Sequence, residues 1–285
     1  MTGTGVAFTT VRILDTGSCR ASLHHLISGG ARSFVDVHSL VALLEHPTRG
    51  WMLWDTGYAG RIFDATRRWP YRIYRWVTPM RFSPQQSVVA QLAHFGLKPE
   101  EIRTVVLSHL HPDHVAGLVD FPEAEWIVTA DAWNGVARKS GFGALREAFV
   151  PGLLPPDFGR RARLLEADAF NGPRLDPFGP THDLFGDGSA ALVQLPGHAR
   201  GQIGLLAQTT EGAMFFVGDA CWLSESYREC RTPGSITRLI AADWHEVADT
   251  IGRLHRFWRA NPGVAIVPTH CPEAYRRHVR HGRLR

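Results

Sequence analysis

Short apolar runs that alternate or carry β-branched residues divide the chain, and most of them end at a Gly, Pro or Asp step. Phe8 to Leu14 reads as a strand. Ser39 to Glu45 (SLVALLE) and Trp51 to Trp54 (WMLW) read as a strand pair joined by a hairpin turn at His46-Pro-Thr-Arg-Gly50. Asp55-Thr-Gly57 then ends the second strand in a sharply turning loop. Ser87 to Phe95 has a short helical pattern stopped by Gly96, and Pro99-Glu-Glu101 starts a turn. The β-branched run Ile102 to Leu107 predicts a buried strand. Trp126 to Thr129 predicts another strand and Ala130 to Lys139 a helix. Residues 150–188, rich in Pro, Gly and Asp, predict mostly loop. Ser189 to Leu195, Ile203 to Gln208 and Ala213 to Val217 predict three further strands. Asp243 to Arg259 places Val247, Ile251, Leu254 and Trp258 at helical spacing, and Gly263 to Val267 is a final strand. Strands in both halves with helices after them predict an α+β fold: sheets packed face to face, covered by helices, with strand-end loops meeting at one site.

Composition narrows this to one folded unit spanning 1–285. Hydrophobic residues make 44% and charged residues 20% of the 285, which excludes a disordered chain. No uncharged apolar run approaches membrane-spanning length, and the first residues have neither a basic start nor a hydrophobic run. The expectation is therefore no transmembrane segment and no signal peptide. The four cysteines, Cys19, Cys221, Cys230 and Cys271, are too scattered for a disulfide scaffold or a CxxC knuckle, so the expected location is cytoplasmic. Net charge is +4, but residues 276–285 hold five arginines and no acid, leaving the body at −1. This basic tail reads as a solubilising terminus, and no nucleic-acid partner is expected.

Residues 58–83 stand apart. Arg61, Arg67, Arg68, Arg72, Arg75 and Arg81 interleave with Phe63, Trp69, Tyr71, Tyr74, Trp76 and Phe82. The segment reads as an insertion packed on the body, a substrate-covering flap, a homodimer face or a membrane-surface element.

The chemistry lies in Ser108-His-Leu-His-Pro-Asp-His-Val-Ala-Gly117, directly after a hydrophobic strand. Alternate residues of an extended segment point the same way, so His109 and His111 can ligate one ion together. Past the turn at Pro112, Asp113 and His114 can face a second. Three more donors sit at strand ends: His198 after Leu195-Pro-Gly, Asp219 after Phe215-Phe-Val-Gly, and His270 after Ala265-Ile-Val-Pro-Thr. Together these supply five histidines and two aspartates, enough for two divalent ions. Nitrogen and oxygen donors without thiolate suit zinc, with manganese, iron and cobalt as alternatives.

The ordered set HxHxDH, a PGH turn, a GD step and a distal His resembles the metallo-β-lactamase superfamily, from Asp55 to His270. The resemblance implies a four-layer αβ/βα sandwich with the metals at its lip. It implies His109, His111 and His198 on one metal, Asp113, His114 and His270 on the other, and Asp219 bridging them. Asp55 is expected to orient the ligand histidines from behind. Such a pair activates a water for attack on a carbonyl carbon or phosphorus, with Asp113 or a metal-bound water as the group that protonates the leaving oxygen.

Within the superfamily, Ser108 to Leu118, Phe121-Pro-Glu-Ala124 and Pro196-Gly-His-Ala-Arg-Gly-Gln-Ile-Gly-Leu205 look most similar to the N-acyl homoserine lactone lactonases. That likeness implies quorum-quenching hydrolysis of a small-molecule lactone or ester. Organophosphate or phosphodiester, β-lactam and thioester hydrolysis are the alternatives, with a non-enzymatic metal-binding module the remote one. Residues 130–285 show no basic thiol-peptide recognition pattern. One departure stands out. The lactonases carry a tyrosine three residues past the bridging aspartate, and this chain has Trp222. Indole donates a hydrogen bond but transfers no proton. Either substrate preference differs, or Trp222 walls an apolar pocket, or Tyr227 or a residue of 58–83 takes the tyrosine's place. Cys221 is expected to pack or to support the site.

Overall fold

A strand buried on both faces must be apolar at consecutive positions, and the central strands here meet that demand by sending alternate residues into two different cores. The computed structural model describes residues 5–280. Its larger sheet has the order β4-β1-β2-β3-β5-β6-β7. These strands are β1 (Thr10–Ser22), β2 (Phe34–His46), β3 (Gly50–Trp54), β4 (Met80–Arg81), β5 (Ile102–Val106), β6 (Glu125–Thr129) and β7 (Arg163–Leu165). After a two-stranded ribbon, β8 (Arg174–Leu175) with β9 (Gly179–Pro180), the smaller sheet runs β10-β11-β12-β13-β14. It comprises β10 (His182–Asp183), β11 (Ala190–Gln194), β12 (Ile203–Thr209), β13 (Gly212–Gly218) and β14 (Ala265–Pro268).

In β2, Leu40, Ala42 and Leu44 face the smaller sheet, where Leu192, Leu205, Phe216 and Val267 meet them. Val41 and Leu43 face the other way, into a core with Ile62, Leu92 and Phe158. The smaller sheet repeats the arrangement: Val193, Leu206, Phe215 and Ile266 pack on Val247, Ile251, Leu254 and Phe257 of the helix Trp244–Ala260. The result is a four-layer αβ/βα sandwich. Asp243 caps that helix by accepting from the His245 and Glu246 amides, at 2.8 and 3.2 Å.

Strands β3, β5 and β6 are parallel, as are β13 and β14, so their C-terminal ends gather at one edge of the sandwich. That edge carries Asp55, Ser108, Asp219 and His270.

Several boundaries differ from the sequence expectation. Strand β1 continues to Ser22 and β2 begins at Phe34; a register shift between Asp15 and Ser18 breaks the alternation that would have revealed the longer ladder. Residues 150–188 hold β7, paired parallel to β6, and the ribbon, where mostly loop was expected. Segment 58–83 forms two short helices, Arg61–Ala65 and Arg72–Val77, before β4 joins β1. Tyr58, Ile62 and Tyr74 are buried in the helical core, whereas Trp69 and Trp76 are 61% and 66% exposed. Trp69 contacts Trp76 and Phe142, with ring centroids at 6.4 and 5.7 Å. Among the described residues, no helix is long and apolar enough to cross a membrane. Of the basic tail, Arg283 and Arg285 lie outside the described residues.

Candidate metal centre

The donors lie on segments that follow strand ends. Asp55 follows β3 with φ +61°, in the left-handed region that Asp and Asn tolerate best. Its next neighbour but one, Gly57, has φ +62°, and a Cβ there would lie 2.1 Å from Thr16 Oγ1. Only glycine fits that turn. Beyond β5 the chain bends at Ser108, and His111, in extended conformation, precedes Pro112, which starts the short helix Pro112–Val115. This turn carries Asp113 and His114 inward, and Ser39 Oγ anchors it by donating to the Asp113 carbonyl at 2.8 Å.

Ligand atoms of three sets lie within 4.8 Å of one another: His109, His111 and His198; His109, His114 and Asp219; Asp113, His114 and His270. Asp219 stands between the groups. Its Oδ1 is 3.3 Å from His114 Nε2, and its Oδ2 is 3.3 Å from His198 Nε2 and 3.0 Å from His270 Nε2. His270 Nε2 is also 3.3 Å from Asp113 Oδ2. His109 Nε2, His114 Nε2 and Asp219 Oδ1 are buried and make no well-formed hydrogen bond. Buried polar atoms aimed at a common point without partners are costly unless something fills that point. Nitrogen and oxygen donors around it fit divalent cations, so the residues present suit a dinuclear metal centre.

The groups behind the donors fix their direction. Asp55 accepts from the Ser108 amide at 2.7 Å, from Ser108 Oγ at 2.8 Å and from His114 Nδ1 at 2.7 Å. Ser108 Oγ also lies 2.9 Å from His109 Nδ1. His270 donates through Nδ1 to the His38 carbonyl at 2.5 Å. In both His114 and His270 the second nitrogen is thereby left to face the centre. Trp222 donates through Nε1 to Asp219 Oδ2 at 3.0 Å, and its ring stands edge-on to His198 at 5.7 Å.

Electrostatics divide the imidazoles. Burial, reinforced by neighbouring imidazoles, pushes His109 and His111 well below the ordinary histidine value, and burial lowers His198 as well. Those rings are neutral lone-pair donors at neutral pH. For His114, burial is outweighed by Asp55, Asp219 and Asp113, and its pKa is raised. Burial is likewise outweighed at His270, by Asp219 and Asp113. Asp219 is held well below the carboxylate range: burial acts the other way, and His270, His114 and His198 override it.

All seven expected donors thus meet at one edge, with Asp55 behind them. The remaining expectations divide. Cys221 is buried in the core under β13 and α-helical residues Val247 and Leu254, so it packs. Tyr227 sits in that same core against Trp258, at 6.1 Å between rings, and does not reach the donors. In segment 58–83, the Tyr74 hydroxyl lies 3.5 Å from Asp113 Oδ1. The sequence reading missed Ser108, although it abuts the first histidine. It also missed the cavity of about 550 Å³ that opens beside His111 and His198 between Val136 and Ala241.

Comparison with known proteins agrees with this construction. The profile described as the metallo-beta-lactamase superfamily matches residues 35–256. The N-acyl homoserine lactonase AttM of Azorhizobium caulinodans is 26% identical over 270 residues, covering 92% of this chain and 93% of the relative. A probable metallo-hydrolase of Mycobacterium tuberculosis is also 26% identical, over 272 residues, covering 89% and 81%. Among solved structures, an N-acyl homoserine lactone hydrolase with the product N-hexanoyl-L-homoserine at its catalytic metal centre superposes with a TM-score of 0.73. It shares 17% identity and covers 95% of this chain and 96% of its own. A dizinc quorum-quenching lactonase, AidC, superposes with a TM-score of 0.62 at 14% identity over 94% and 91% of the two chains. At these identities the structural likeness bears on the fold.

Proposed function

The chain belongs to the metallo-beta-lactamase superfamily and is a metal-dependent hydrolase, and we propose that it opens the ester bond of a lactone of the N-acyl homoserine lactone class. The observation that carries this is the convergence of two donor sets on Asp219 beside a cavity of ligand size. Full-length similarity to a curated N-acyl homoserine lactonase supports the substrate class.

In this reading His109, His111 and His198 would hold one ion, Asp113, His114 and His270 would hold the other, and Asp219 would serve both. Zinc is the ion that the thiol-free donor set favours, since Cys221 is turned into the core. When bound, the two cations supply an activated water and polarise the scissile carbonyl. The chain does the rest. The rigid edge formed by β3, β5, β13 and β14 keeps the donors in place, and Asp55 and the His38 carbonyl hold two rings by their outer nitrogens. Trp222 spends its single N–H on Asp219, so it steadies the bridging carboxylate and does not serve the substrate. Asp113 carries the proton to the leaving oxygen, and the Tyr74 hydroxyl beside it orients that oxygen. The partner is a small molecule; no nucleic acid enters this reading. Scattered free cysteines support a cytoplasmic setting.

The test is a pH-stat panel on protein of measured metal content: long- and short-acyl homoserine lactones, a simple lactone, paraoxon, bis(p-nitrophenyl) phosphate and a cephalosporin. Fastest turnover of the acyl homoserine lactones is expected. Faster cleavage of a phosphoester or β-lactam would replace the substrate class while leaving the hydrolase in place.

A further inference from the structure

The cavity beside His111 and His198 has a floor and a rim of opposite character. Leu110, Ala132, Val136 and Ala199 are buried and apolar. The rim carries Lys139, Arg146, Arg200 and Arg238 against the single carboxylate of Glu147. Lys139 pairs with Glu147, and Arg200 pairs with Asp131 at 2.7 Å. Arg146 and Arg238 have no carboxylate partner among the described residues. Arg238 lies over the Trp244 ring at 4.9 Å, a contact that steadies the guanidinium without neutralising it. Arg146 and Arg238 therefore line the same cavity as Leu110, Val136, His111 and His198. Guanidinium forks match a carboxylate in geometry and charge.

We propose that this cavity receives the distal arm of an anionic amphiphilic substrate: an ester or lactone whose apolar arm lies on Leu110 and Val136 and ends in a carboxylate held by Arg146 and Arg238. The inference rests on the hydrolase reading and names the substrate class of the same site. A neutral acyl arm fills the floor but leaves both guanidinium groups with water alone. An arm with a terminal carboxylate satisfies both parts of the cavity. Arg146 and Arg238 are exposed, so the attraction weakens with salt.

The test compares the 4-nitrophenyl monoester of glutaric acid with 4-nitrophenyl pentanoate, which match in chain length and leaving group and differ in charge. In metal-loaded protein the acid ester is expected to have a kcat/KM at least tenfold higher, through KM, with the ratio shrinking as sodium chloride rises. The ratio should fall to near one in R146Q/R238Q and below one in R146E/R238E. A ratio at or below one in the parent protein, or one that the arginine variants leave unchanged, would overturn the inference. If neither ester is turned over, the hydrolase reading is decided by the lactone, phosphoester and β-lactam panel, and calorimetric titration decides the cavity. Glutaranilic acid is then expected to bind at least tenfold more tightly than valeranilide, with the advantage lost in R146Q/R238Q. Equal binding of the two anilides would overturn the inference.

Discussion

Replacing Asp55 by asparagine isolates what the groups behind the donors contribute. The position has φ +61°, which asparagine adopts as readily as aspartate, so the backbone is not newly strained. Size is also conserved. What changes is one oxygen to an NH2. If the amide oxygen keeps the Ser108 N–H, the NH2 faces His114 Nδ1, 2.7 Å away, and the ring must accept there. Its proton then moves to Nε2, the atom that faces Asp113 and Asp219, and the lone pair needed by a cation is gone. If the amide turns the other way, its NH2 meets the buried Ser108 N–H, leaving a donor unsatisfied at a cost of about 1–3 kcal/mol. Either way, loss of such an orienting partner lowers metal affinity by about 10–100-fold, or about 1.4–2.8 kcal/mol. Chelator competition followed by elemental analysis measures this directly. D55N is expected to lose one ion at a chelator concentration that leaves both in the parent protein, while its far-UV circular dichroism is retained. Two ions held with parent affinity would refute the argument that Asp55 sets the His114 tautomer.

Other consequences are checked more briefly. His114 and His270 have pKa values raised by carboxylates, so each holds its proton to higher pH than a free imidazole does, and a cation must displace it. Cation affinity should therefore rise with pH through and above the ordinary histidine value, with proton release visible as buffer-dependent heat; affinity independent of pH would contradict this. Trp222→Phe removes the N–H donated to Asp219 and should lower kcat by about 3–10-fold, about 1 kcal/mol, with metal content unchanged. Leu254→Ala, in the core between the long helix and the smaller sheet, should cost about 2–5 kcal/mol in urea unfolding with no change in acyl-chain preference. Trp69→Ser with Trp76→Ser strips the exposed aromatic cluster. Sedimentation then shows whether it is a dimer face, and dependence of activity on acyl-chain length whether it lines the substrate path.

The donor set was legible because most candidate ligands lie within a few residues of the end of an apolar strand, and the rest complete the HxHxDH motif. His109 and His111 after β5, Asp219 after Phe215 to Gly218 and His270 after β14 all show it. The sandwich was legible for a similar reason, since β2 is apolar at consecutive positions and so needs cover on two faces. What stayed hidden depends on residues that meet only in three dimensions. Tyr74 reaches Asp113 from a segment whose alternation of arginine and aromatic side chains hides which face is buried. Tyr227 looked equally available beside the GD step, yet it is turned into the core against Trp258. Ser108 had no signal beyond adjacency. The basic rim of the cavity is assembled from residues 139, 146, 200 and 238, and no window of sequence containing one predicts the others.

The central claim is that two cations shared through Asp219 make one hydrolytic site. Its most direct test is a titration of metal-stripped protein with zinc, following N-hexanoyl homoserine lactone opening in a pH-stat at each step. Activity should remain low until the first equivalent is passed and reach its plateau at about two ions per chain, with D219N unable to reach it. Full lactone turnover in metal-stripped protein, or a plateau at one equivalent, would contradict the account.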